Sequence, residues 1–111
     1  MSKFFFNRKE RVKKRADFLA IYKSGQNFKT EHFRLTVITN KRNYRRLGLS
    51  VSKKTGGAVQ RNYVKRRLRE YFRLNKELFP VNSDIIITAK HGAADKSYNE
   101  IKSELNNLLP I

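Results

Sequence analysis

The sequence predicts an α+β protein, a single domain with one sheet of about four strands and three helices in the order α-β-β-β-α-β-α. Three observations predict it. Apolar residues recur at helical spacing over 12–23, 58–79 and 97–108, and alternate with polar ones over 32–39 and 47–52. A continuous β-branched stretch fills 84–89, the pattern of a strand buried on both faces. At 111 residues and 39% hydrophobic content the chain suffices for one core and not for two domains.

Residues 1–10, with Phe4, Phe5 and Phe6 ahead of Arg8 and Lys9, read as a basic arm, mobile in part. In the first helix Val12, Ala16, Leu19 and Phe18, Ile21, Tyr22 keep a helical period, and Gly25 is placed to end it. Over 32–39, Phe33, Leu35 and Val37 alternate with Arg34, Thr36 and Ile38; Phe28 either opens this strand or belongs to a short one of its own. A basic loop over 41–46 leads to a strand with Leu47, Leu49 and Val51 on one face. Its other face carries Gly48, Ser50 and Ser52, small enough for another group to lie against the sheet. These two or three strands are expected to run antiparallel. Gly56-Gly57 precedes the long helix, and Ser97-x-x-Glu100 is a capping box for the last one, which Pro110 stops.

Charge narrows the function. Lys and Arg total 26 against 9 acidic residues, a net of +17, far outside the roughly 2 to 8 that solubility asks of a small domain. Residues 1–76 hold 23 of the 26 basic residues and only 4 of the acids. A polyanion that relieves this self-repulsion is the expected partner, and nucleic acid fits better than a membrane surface. The basic segments lack the broad apolar face of a membrane-lying helix. With 0 Cys, disulfides, thiolate metal sites and a cysteine nucleophile are excluded. No apolar stretch approaches the roughly 20 residues of a membrane span, and the N-terminus lacks the apolar core of a secretory signal. The expectation is a soluble, cytoplasmic protein.

The long helix sharpens the argument. On a wheel with Arg61 at zero, Val64, Leu68, Tyr71, Phe72 and Leu78 form a buried stripe between about 260° and 20°. Arg61, Lys65, Arg66, Arg69, Arg73 and Lys76, with Asn62 among them, line a flank between about 0° and 140°. That flank is about 25 Å long at the helical rise. Only Glu70 interrupts it. A purely structural helix would place acids four residues from such cations. Contact with phosphates explains their absence. Lys53 and Lys54, leading into the helix start, add an anion site for a polynucleotide phosphate. The Walker order of Gly and Lys is absent, so neither a nucleotide triphosphate nor another small-molecule substrate is expected.

The catalytic inventory is thin. His32 and His91 have no acid or nucleophile at a recognisable spacing, and the acids form no two-metal pattern. The polypeptide reads as non-catalytic, with no metal or cofactor of its own.

The run Val51-Ser52-Lys53-Lys54-Thr55-Gly56-Gly57-Ala58-Val59-Gln60-Arg61-Asn62-Tyr63-Val64-Lys65-Arg66-Arg67-Leu68-Arg69-Glu70 resembles the signature of the bacterial ribonuclease P protein component. The resemblance extends over nearly the whole chain. One position departs: Tyr63 stands where the family usually has Arg. The resemblance implies the subunit of an endoribonuclease that removes the 5′ leader from precursor tRNA, in which a catalytic RNA and its Mg²⁺ ions do the chemistry. It implies that Lys53, Lys54, Arg61, Asn62, Lys65, Arg66, Arg69 and Arg73 bind that RNA. It further implies that Phe18, Tyr22 and Lys53 line a cleft for the single-stranded leader. A left-handed βαβ crossover is implied in the same way, against the usual rule. Without the resemblance Phe18 and Tyr22 read as ordinary core aromatics. With it, two aromatics four residues apart make a stacking platform indifferent to base sequence.

Three rivals remain at this level. A structural protein of the ribosome shares the size, charge and fold class, but not the ordered run over 51–70. A DNA reader would need more base-reading amides than Gln60 and Asn62. A protein-only ribonuclease would need catalytic residues the chain does not offer.

Overall fold

A computed structural model describes residues 8–110. The elements are α1 (Arg15–Ser24), β1 (Gln26–Lys29), β2 (Phe33–Thr39), β3 (Arg46–Val51), α2 (Ala58–Leu74), β4 (Ser83–Ala89) and α3 (Tyr98–Asn106). Short 3-10 turns stand at Arg8–Glu10, Lys53–Thr55, Lys76–Leu78 and Ala93–Asp95. The sheet order is β1-β2-β4-β3. β2 pairs antiparallel with both β1 and β4, whereas β3 pairs with β4 and runs parallel to it. The expectation of consecutive antiparallel strands therefore fails at β3. The β-branched run of β4 is the most buried strand and takes the centre, separating β2 from β3 and making β3–α2–β4 a parallel crossover.

The strand period sets two faces. Phe33, Leu35, Val37, Leu47, Ile85, Ile87 and Ala89 pack under α2 and α3 with Val64, Leu68, Tyr71, Phe72, Ile101 and Leu105. The opposite face carries Ile86, over which Val12 and Ile21 pack with Phe18, Tyr22 and Ile38 at the margin. α1 is thus held by a small cluster and α2 by a large one.

Three boundaries move. α1 starts at Arg15 rather than at residue 12, because Val12 is extended and its N–H donates to the Leu47 carbonyl at 2.8 Å on the free edge of β3. α2 ends at Leu74 rather than at residue 79. Asn75 leaves helical geometry at φ −127° and ψ 27°, and its side-chain amide donates to the Tyr71 carbonyl at 2.8 Å. The turn that follows buries Phe79 instead of Leu78, its ring 5.5 Å from Phe72 and edge-on to Tyr71. Of the basic arm, Phe4, Phe5 and Phe6 lie outside the described residues. Arg8–Glu10 form a turn whose Glu10 is buried against Lys76 at 2.7 Å. The capping box at Ser97 and Glu100 forms as the spacing predicts.

Candidate nucleic-acid interface

Phe18 and Tyr22 lie on the face of α1 turned toward the sheet, with ring centroids 6.3 Å apart and planes tilted by 41°. The Tyr22 hydroxyl is 3.4 Å from Thr88 Oγ1 on β4, and the Arg34 guanidinium of β2 stands 5.8 Å from its ring. Both aromatics are half-buried, so each keeps surface for a ligand. The register puts Arg34 opposite Thr88 and Ser50 opposite Thr88 on its other side, giving a polar floor next to the rings. Neither Arg34 nor Thr88 was singled out by motif. Arg34 shows in the alternation of β2, whereas Thr88 falls in the continuous apolar run of β4, where no alternation marks its face.

Phe18 is seated by Gly48. A Cβ at Gly48 would lie 2.8 Å from Phe18 Cζ and 3.1 Å from the Val12 Cβ. The small face of β3 thus receives the protein's own Phe18 before any ligand. Gly48→Ala is expected to lift Phe18 from its seat and lower stability by about 1–3 kcal/mol through overpacking. Thermal melting checks the cost, and pairing the change with Phe18→Leu should recover most of it.

On α2, Asn62 and Arg66 are exposed, while Arg61, Lys65, Arg69 and Arg73 are half-exposed. Among the described residues no carboxylate lies within ion-pair distance of Arg61, Lys65, Arg66 or Arg69. Arg73 meets Glu70 only at 3.8 Å. Burial lowers the pKa of Arg69, and the nearby Arg11 charge lowers it further. Lys76 leaves the predicted row: its ammonium is held by Glu10 at 2.7 Å with 13% of the side chain exposed. Lys53 and Lys54 are exposed on the turn between β3 and α2.

The two predicted groups meet at Phe18. A groove of about 320 Å³ is lined by Phe18, Val12, Leu47 and Leu49 together with Arg11, Lys13, Lys65 and Arg69. The cleft aromatic thus shares a wall with the middle of the α2 row; Lys53 does not line this groove. Tyr63 turns inward. Its hydroxyl donates to the Lys96 carbonyl at 2.8 Å, and the Arg67 guanidinium stands 5.6 Å from its ring. The aromatic at this position ties α2 to the segment before α3.

The histidines are engaged by the fold. His32 Nδ1 is 2.8 Å from Glu104 Oε1, and its backbone N–H donates to Glu104 Oε2 at 2.7 Å. His91 Nδ1 is 3.5 Å from the Lys54 carbonyl. Among the described residues no three His, Asp or Glu could hold a metal ion together, and no helix is long and apolar enough to cross a membrane.

A carboxylate-poor cationic helix beside an aromatic cleft, on a four-stranded α+β scaffold, defines a polynucleotide-binding protein. The Ribonuclease P family model matches residues 6–110. The ribonuclease P protein component of Syntrophus aciditrophicus is 42% identical over 109 residues, covering 98% of this chain and 92% of the relative. The Staphylococcus aureus RNase P protein superposes with a TM-score of 0.82 at 40% identity, covering 88% of this chain and 90% of that one. The RNase P protein from Thermotoga maritima gives a TM-score of 0.82 at 35% identity, over 91% and 96% of the two chains. The chain belongs to the ribonuclease P protein family. It is a subunit of that tRNA-processing ribonucleoprotein endoribonuclease, and its partner is the RNA of the particle.

Proposed function

We propose that the chain acts as one RNA-binding unit with two surfaces. The α2 row, Arg61, Asn62, Lys65, Arg66, Arg69 and Arg73, with Lys53 and Lys54 at its head, grips the phosphate backbone of the catalytic RNA. The cleft of Phe18 and Tyr22, with Lys53 beyond the end of β3, holds the unpaired 5′ leader of precursor tRNA. The observation that carries this reading is that, among the described residues, Arg61, Lys65, Arg66 and Arg69 have no carboxylate within ion-pair distance, and that Lys65 and Arg69 share a groove with Phe18. Cleavage belongs to the RNA and its Mg²⁺. The protein's contribution is affinity, through charge-assisted contacts on α2 and base stacking in the cleft. The expected compartment is the cytoplasm, where precursor tRNA is made.

The test is a 5′-processing assay at low Mg²⁺ with protein alone, RNA alone and both. Only the mixture should process efficiently, and protein alone cutting at full rate would overturn the division of labour. Phe18→Ala should weaken precursor tRNA binding by roughly fivefold to a hundredfold, the range for one lost base stack, and mature tRNA binding little. Equal loss for both substrates would remove the leader from the cleft.

A further inference from the structure

We infer that the RNA-gripping surface continues past α2 onto a clamp built around Tyr44, where Lys9 and Arg42 take phosphates of the RNA subunit's backbone. The inference rests on the reading of α2 given above, since it extends the same footprint.

The loop between β2 and β3 is rigidly built. The Asn40 N–H donates to the Asn82 carbonyl at 2.6 Å. The Asn40 side-chain amide donates to Asp84 Oδ1 at 2.8 Å and to the Tyr44 carbonyl at 3.3 Å, while Asn40 Oδ1 accepts from the Arg42 N–H at 2.9 Å. Next along the chain, Arg45 Nε donates to the Phe79 carbonyl at 2.9 Å. Tyr44 is therefore fixed, and it gathers two cations. Lys9 Nζ stands 4.7 Å from its ring centroid. The Arg42 guanidinium lies 6.0 Å from the same centroid and donates from Nη1 to the Tyr44 hydroxyl at 3.4 Å.

Two like charges on one ring repel, and their attraction to the half-buried Tyr44 ring is modest. A carboxylate would ordinarily relieve the repulsion. Among the described residues none lies within ion-pair distance of Lys9 or Arg42. Exposed Arg8 and Lys41 add further positive charge in the flanking sequence. The nearby Asp84, which feels the Arg42 charge, is already bound to Arg46, so the arrangement has the form of a preorganised anion site.

Continuity selects the partner. Glu10, next to Lys9, is pinned to Lys76 at 2.7 Å, just beyond the last turn of α2 that carries Arg73. The turn bearing Lys9 is thereby fastened to the far end of the α2 row. β3 runs from the Tyr44 loop toward Lys53, and α2 runs back the opposite way, so the clamp and Lys53 close the two ends of one path. A backbone following that path for about 25 Å, the length of α2, meets cations throughout.

The test measures binding of the full chain to the RNA subunit over a range of salt. Lys9→Ala with Arg42→Ala should make the slope of log affinity against log salt shallower by about 1–2, at roughly 0.7–0.9 per lost phosphate contact. Tyr44→Ala keeps every charge, yet should weaken binding about twofold to fivefold because the cations lose their shared support; Tyr44→Phe should bind nearly as the parent. The preference for precursor over mature tRNA should not change in any of them. An unchanged slope in the Lys9/Arg42 variant would overturn the clamp, and if Arg61→Ala with Lys65→Ala still lowers the slope, the reading of α2 survives it. A loss confined to precursor tRNA would also overturn the proposal. Parent-like binding by Tyr44→Ala would overturn the role of the ring.

Discussion

Asp84→Ala is expected to destabilise the protein by about 3–5 kcal/mol, the usual cost of removing one partner from a buried ion pair. Asp84 and Arg46 are 5% and 9% exposed, and they meet in a two-pronged contact, Nε to Oδ1 at 2.9 Å and Nη2 to Oδ2 at 2.7 Å. The pair also joins three elements. Asn40 donates to Asp84 from the β2–β3 loop, and Arg46 Nη1 reaches Asp17 Oδ2 of α1 at 3.5 Å. Removing the carboxylate leaves the buried guanidinium with only Asp17 at 3.5 Å and frees the loop. Replacing both partners, as in Arg46→Met with Asp84→Leu, should cost much less, because no uncompensated charge remains. Denaturant titration of the three variants checks this ordering.

The same pair gives a pH signature. Burial pushes the Asp84 carboxyl up, but the hydrogen bonds from Arg46 and Asn40 and the Arg46 charge outweigh it and hold it below the ordinary range. Glu104 is likewise held down, against burial, by hydrogen bonds from Thr30 and His32. A carboxylate whose folded pKa is depressed contributes its full stability above the unfolded value, about 4. The contribution is lost as pH falls through the folded value. Wild-type stability should therefore decline below about pH 4. The gap between wild type and Asp84→Ala should narrow over the same interval.

What the sequence made legible is local. The 3.6-residue stripe on α2 from Val64 to Phe72, the run in β4 and the capping box at Ser97 each depend on neighbours a few residues apart, and these appear where the local pattern puts them, whereas Leu78 falls beyond the helix end. What it hid is long-range. The wheel counts Lys76 with the free cations, because Glu10, which neutralises it, is 66 residues away. The run in β4 reads as an interior strand, but no local pattern says that β2 and β3 are the two strands that flank it. Gly48 announced room on β3, but only the approach of α1 shows that Phe18 fills it. Val12 fits the helical period and is nonetheless extended, because the free edge of β3 offers its N–H a carbonyl. The candidate row on α2 was legible because it is one face of one helix. Its junction with the cleft was not, because the groove draws on the chain before α1, on α1, on β3 and on α2.

Neutralising the α2 row should have opposite effects on the free protein and on the complex. Arg61→Gln, Lys65→Gln, Arg66→Gln and Arg69→Gln together keep helix propensity and most of the aliphatic packing. In the free chain Arg61, Lys65 and Arg69 repeat at four-residue spacing without acids between them, so their mutual repulsion disfavours the helix by a few tenths of a kcal/mol per pair. The quadruple variant should thus melt no lower than the parent, and slightly higher at low salt, where screening is weakest. Its affinity for the RNA subunit should fall steeply, with a salt slope shallower by about 3 for four lost phosphate contacts. At about 50 mM salt the loss should be largest, shrinking toward 200 mM as the parent's counterion-release advantage fades. A solvated structural face predicts otherwise: small changes in melting and none in slope. Charges placed for folding lower stability when they are removed, whereas charges placed for a partner raise it. The sign of the melting shift, measured beside the slope, separates the two explanations for this helix.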